Sequence, residues 1–157
     1  MAYPPNPGMS INVSITASTR NMKNLPMGPN GREWSNDLSS CCGDCSTCPV
    51  AFICPCITYG RVRRRYEHLN SRGYPDPKGG ECCSGECCCH AIALFVCMGW
   101  AWRMCNRSDI RKRYSIRGGC CSDCGTACCC TTCELVQESR ELELEESTYP
   151  QGIRRKR

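Results

Sequence analysis

Much that would simplify the reading of this 157-residue chain is missing from it. It has only two histidines, His68 and His90, and neither falls into a recognisable nucleophile-and-base arrangement, so no catalytic set can be assigned. The first residues, MAYPPNPGMSINVS, lack a basic stretch followed by a long apolar run, which argues against a signal peptide there. The apolar run AIALFVCMGWAW is twelve residues long before Arg103, well short of the roughly twenty that a membrane-spanning helix needs. A buried or interfacial helix fits it better. Strand and helix alternation of the kind that carries a thioredoxin-like Cys pair is also missing, which weighs against a thiol oxidoreductase.

Cysteine, by contrast, is abundant, with twenty in the chain. In a short secreted protein that density would mean a disulfide scaffold. Without a signal peptide the expected compartment is the reducing cytosol, where clustered thiols bind metal, carry lipid or do redox chemistry. The net charge of +5 owes four charges to Arg154, Arg155, Lys156 and Arg157. The body is therefore almost balanced, and a nucleic-acid-binding face is not required.

Residues 1–32 are rich in Pro, Asn, Ser, Thr and Gly and are expected to form a disordered tail. Trp34 then opens an expected Cys-rich domain over 33–146, acting as a core anchor, and a basic tail follows over 147–157. Within the domain, CCGDCSTCPVAFICPC runs from Cys41 to Cys56. Cys42, Cys45 and Cys48 form overlapping CxxC pairs, a spacing that aims two thiolates at one ion from a tight turn, and zinc takes four such ligands at about 2.3 Å. Cys54 and Cys56 flank Pro55, which restricts Cys54 to an extended conformation. The motif returns as CCSDCGT from Cys120, at a constant offset of 79 residues, and further cysteines follow, including Cys130 and Cys133. Two copies would each supply a CxxC pair to one zinc, Cys42 and Cys45 meeting Cys121 and Cys124. The competing reading is that these thiols are buried small hydrophobes or are acylated.

Tyr59, Val62, Tyr66 and Leu69 recur at helical spacing, with Arg61, Arg63, Arg64 and Arg65 around the rest as an expected solvated face. That helix should end near Asn70 to Gly73. His90, beside Cys87 to Cys89, reads as a capping or surface residue, with metal ligation as the sharper alternative. Glu134 to Glu146 is strongly helical, and its glutamates read as a solvated face that pairs weakly, if at all, with the arginines. Two membrane spans would put arginine clusters on opposite sides, against the positive-inside tendency. A hairpin dipping into one leaflet, or a peripheral domain held by lipidated cysteines, keeps both clusters in the cytosol. The expected fold is a small, mainly α, Cys-rich single domain with short helices, long loops and disordered tails.

Several ordered motifs resemble the cornifelin and placenta-specific-eight family: Trp34 with Leu38, CPVAFICPC ending at Cys56, Gly60, and R-x-x-x-R-x-R-Y-x-I-x-G from Arg107 to Gly118. Asp123 and C-x-x-C-x-L-x-Q-E-x-R-E-L from Cys130 to Leu142 complete the resemblance. Pro49 stands where many members have a second cysteine in the motif tied to cadmium resistance. With no catalytic set in the chain, a non-enzymatic protein is expected. Plant relatives include plasma-membrane cadmium and zinc resistance proteins and cell-number regulators; animal relatives include a cornified-envelope component and cytoplasmic regulators. Two functions follow as expectations. One is a membrane-associated protein on the cytoplasmic side of the plasma membrane that binds structural zinc, or cadmium, and affects divalent-metal handling. The other is a cytosolic regulatory or structural protein whose cysteines only stabilise its fold while its surfaces bind protein partners or a second copy.

Overall fold

The first cysteine cluster folds as a 3₁₀ turn, Leu38–Gly43, followed by α1, Thr47–Ile53. These coordinates are a computed structural model that describes residues 20–81 and 84–150 and, within them, every side chain except that of Cys42. Helix α2, Pro55–Arg72, starts on a proline whose missing N–H costs nothing at a helix start, and Gly73 ends it in the left-handed region at φ 73°. Helix α3, Gly85–Phe95, is capped by the Ser84 hydroxyl, which accepts from the Cys87 N–H at 3.3 Å. Helix α4, Gly99–Tyr114, carries Arg111, Lys112 and Arg113 in its last turn, where cations complement the helix dipole. Helices α5, Cys120–Cys129, and α6, Thr131–Glu146, complete six α-helices among the described residues. The protein is a small all-helical single domain.

Helix α6 is the axis of the fold, touching the 3₁₀ turn, α1, α2 and α5. Two apolar clusters form around it. Val62, Leu69, Ile110, Tyr114, Ile116 and Leu142 make one, with Trp34 and Tyr66 packed against its edge. Ala51, Tyr59, Leu135 and Val136 make the other, with Cys41 and Cys48 at its margin. The helical stripe from Tyr59 to Leu69 therefore serves both clusters.

The glutamates of α6 are not a solvated face. Glu134, Glu138, Glu141 and Glu145 are all at most 2% exposed. Their partners come from distant segments: the Glu138 carboxylate accepts from Asn106 at 2.8 Å, and that of Glu145 from Arg113 at 2.7 Å and the Tyr114 hydroxyl at 2.5 Å. Arg103 lies 3.5 Å from Glu134. Arg65 corrects the matching expectation for α2, since it is buried and donates to Glu146 at 2.8 and 2.9 Å and to Ser139 at 3.0 Å. Exposed charge pairs contribute little, but for the Arg113–Glu145 and Arg65–Glu146 pairs desolvation makes each partner obligatory, because a buried charge left alone costs several kcal/mol.

The expected N-terminal tail falls outside the described residues as far as residue 19, as does the expected basic tail from 151 onward. From Arg20 the chain lies on the domain. Arg32 is 1% exposed, its backbone N–H donates to Ser115 O at 2.9 Å, and its guanidinium donates to Glu141 at 2.5 Å and to Arg20 O at 2.9 Å. The low hydrophobicity of this segment points to disorder, but a single buried ion pair and a backbone bridge to Ile116 fasten it.

Candidate functional site

The echo in the sequence is not an echo in the backbone. In the first copy Asp44 lies between helices, where its Oδ1 accepts from the Ser46 and Thr47 N–H groups at 3.0 Å. Partial burial pushes its carboxyl up, but the bonds from Thr47 and Ser46 prevail and hold its pKa at about 2. In the second copy the equivalent Asp123 is inside α5, buried, and accepts from Arg111 at 2.6 and 2.9 Å. The first copy is thus a 3₁₀ turn and a separate helix, whereas the second is one continuous helix whose aspartate faces the arginines of α4.

The predicted thiols are spread accordingly. Cys45 and Cys121 are exposed, while Cys48, Cys54, Cys56, Cys124, Cys130 and Cys133 are half-buried. Cys54 has φ −133° and ψ 75° before Pro55. The two halves of the chain do meet at one sulfur pair, Cys41 Sγ and Cys133 Sγ, 3.0 Å apart. Among the described residues, no three His, Cys, Asp or Glu side chains are arranged to hold a metal, and the side chain of Cys42 is not among those described.

His90 is fully buried and stacks on Tyr59 with ring centroids 4.3 Å apart. Burial, reinforced by the Arg103 charge, lowers its pKa to about 4. It is a core residue, contrary to the expected capping or surface role. The Arg107 guanidinium stacks over the Trp34 ring at 4.2 Å, so the expected anchor is held by a cation as well as by packing.

One exposed end of the domain is apolar. Cys87 lies against Gly60 and His90 against Tyr59, so α3 runs antiparallel to α2 and its last turn extends beyond the start of α2. The same end carries the last residues of α1. Phe95 is 90% exposed there, Phe52 77%, Ile53 75% and Val96 62%, and Met98 and Trp102 are also exposed. An exposed thiol stands among them at Cys97, and Cys88 and Cys89 are exposed earlier on α3. The run from Ala91 to Trp102, expected as one buried or interfacial helix, is a helix end, a turn and a helix start, with Ala93 buried and the large side chains exposed. No helix of the described residues is long and apolar enough to cross a membrane. Hydrophobicity alone signals burial, so the exposure of Phe52, Ile53 and Phe95 was not readable before the helices were placed.

The PLAC8 family pattern matches residues 34–141, from Trp34 to the buried Glu141. The chain belongs to the PLAC8 family. It is 32% identical over 111 residues to Protein PLANT CADMIUM RESISTANCE 1 of Arabidopsis thaliana, covering 71% of this chain and 68% of that one. To Cell number regulator 11 of Zea mays it is 34% identical over 124 residues, covering 77% and 70%. Protein PLANT CADMIUM RESISTANCE 2 of Arabidopsis thaliana is 32% identical over 112 residues, covering 71% and 67%. These PLAC8 names describe resistance and regulation rather than a reaction. No solved structure matches the chain. Within the PLAC8 pattern, Gly60, Arg107, Tyr114, Asp123 and Glu141 are all buried, and Arg107 with Asp123 and Glu141 with Arg32 form buried pairs.

Proposed function

We propose that this PLAC8 protein is non-enzymatic, attaches to the cytoplasmic side of the plasma membrane, and binds zinc or cadmium in divalent-metal handling. The observation that carries the reading is the apolar end formed by Phe52, Ile53, Phe95, Val96, Met98 and Trp102. Removing one such side chain from water contributes about 1.5–3 kcal/mol, and several inserting together suffice for stable attachment without a spanning helix. The depth is that of a shallow insertion into one leaflet. Thiolates are soft donors suited to zinc and cadmium. Cys42, Cys45, Cys48, Cys54 and Cys56, with Cys121, Cys124, Cys130 and Cys133, remain the proposed ligand pool, and the names of the plant relatives support the metal half of the reading.

Fractionation at high salt tests the membrane half. The wild-type chain should stay in the membrane pellet, and a Phe95→Ser, Val96→Ser variant should move to the soluble fraction with its fold intact. Soluble wild-type protein that carries zinc would reject attachment and favour a cytosolic regulatory or structural interaction protein, a reading in line with the cell number regulator names. Cadmium tolerance of expressing cells tests the metal half. A Cys54→Ser, Cys56→Ser variant that confers the same tolerance as wild type would remove that claim.

A further inference from the structure

Helices α4 and α5 fold back on each other through Ser115 to Gly119, and the Arg111–Asp123 pair clamps them at 2.6 Å. Between them lies a groove of about 220 Å³ lined by Met104, Cys105, Ser108, Asp109, Lys112, Cys120 and Asp123. Neither Met104 nor Cys105 belongs to the repeated motif, and the zinc reading does not use them. The geometry points to a binding site in this groove for a soft monovalent cation of the Cu(I) class, with Cys120, Cys105 and Met104 as its three sulfur donors.

Cys120 Sγ and Met104 Sδ stand 4.0 Å apart. A metal–sulfur bond is about 2.3 Å, so two donors sharing one trigonal plane are separated by about 4.0 Å. The Cys41–Cys133 contact of 3.0 Å is too short to fit this pattern. Cys105 and Cys120 are exposed, which leaves the ion a path of entry. The donor set also selects the ion. Thioether ligands suit Cu(I), whereas zinc and cadmium have no preference for methionine over the many thiols elsewhere in the chain. Two thiolates and one monovalent cation leave a net charge of −1, and Lys112 on the groove wall supplies the opposite sign. The nearby carboxylates are already engaged, Asp123 with Arg111 and Asp109 with Arg63 at 2.9 Å, so they do not draw a hard ion into the groove.

The experiment needs no membrane and stands apart from the attachment reading. Full-length reduced protein, labelled with ¹³C at the methionine methyl groups, is titrated with Ag(I), a redox-inert probe of the Cu(I) class. The Met104 resonance, assigned by its loss in Met104→Leu, should shift at lower Ag(I) than those of the exposed Met22 and Met27. It should stay in place when Zn(II) alone is added. A Cys105→Ser, Cys120→Ser variant should lose the early shift, and Met104→Leu should lose the tightest Ag(I) equivalent in competition with a chelator. A Met104 resonance that moves only together with Met22 and Met27, or that shifts early in the double serine variant, overturns the site. An unchanged tightest equivalent in Met104→Leu overturns it as well.

Discussion

Arg32 Nη2 donates to Glu141 Oε1 at 2.5 Å, and both side chains are sealed from solvent although 109 residues of chain separate them. Glu141 also accepts from the Ser35 hydroxyl at 2.8 Å and from its backbone N–H at 3.0 Å, so one carboxylate organises the whole N-terminal segment. Replacing it by Gln strands the Arg32 charge, and losing one partner of a buried pair costs about 3–5 kcal/mol. Urea denaturation under reducing conditions should show that loss for Glu141→Gln. An Arg32→Met, Glu141→Leu double variant should recover a large part of it, because it removes both charges. Equal stability of the single variant and the wild type would show that the pair is not buried.

Gly60 sits where α2 and α3 touch. A Cβ there would lie 2.8 Å from Cys87 Cβ and 3.0 Å from its backbone N, closer than atoms pack. Gly60→Ala should therefore separate the two helices and lower stability by about 1–3 kcal/mol, as overpacked cores do. Thermal unfolding followed by circular dichroism measures it, and Gly125→Ala, where an added Cβ meets nothing, is the matched control.

Two buried groups make stability depend on pH in opposite senses. Burial raises the Glu134 carboxyl to about 7 despite the arginines at 107 and 103, and raises Glu138 well above its ordinary range. The folded state then holds protons that the unfolded state has released, so the contribution of Glu134 is full below about 4.5 and is lost as pH rises to about 7. His90, lowered to about 4, behaves conversely. Its contribution is present above 6.5 and is lost as pH falls towards 4. Denaturation midpoints measured from pH 4 to 8 should lose their acid-side decline in His90→Phe and their decline towards neutral pH in Glu134→Gln. Parallel curves for wild type and both variants would contradict the assignment.

Cys41 and Cys133 offer a direct test of how the two halves of the chain meet. With their sulfurs 3.0 Å apart, mild oxidation should give a Cys41–Cys133 disulfide ahead of any other cross-link between the two repeats. Peptide mapping by mass spectrometry reads the product. A preference for Cys45–Cys121 would instead support the shared zinc site expected from the echoed motif.

How much of this was legible in the sequence depends on the range of the interaction. The spacing of Tyr59, Val62, Tyr66 and Leu69 predicts α2, and SRGYPDPKGG predicts its end at Gly73, because periodicity and turn chemistry are local. The glutamates of α6 look solvated for the same reason. Their arginines lie some thirty residues upstream on α4 or farther away on α2, and charge patterning within one helix contains no trace of them. The echo of CCxDCxT is real as sequence, but Asp44 accepts from backbone N–H groups in a turn between helices while Asp123 answers two arginines, so identical letters serve different backbones. The apolar end was visible as composition and invisible as surface.

The burial of α6 among arginines from α2 and α4 also governs the order of events during synthesis. Those cations leave the ribosome with their counter-charges still untranslated, and Arg32 waits through most of the chain for Glu141. Closure falls to the last helix made, and any truncation before Leu142 leaves the earlier helices without a centre to fold around.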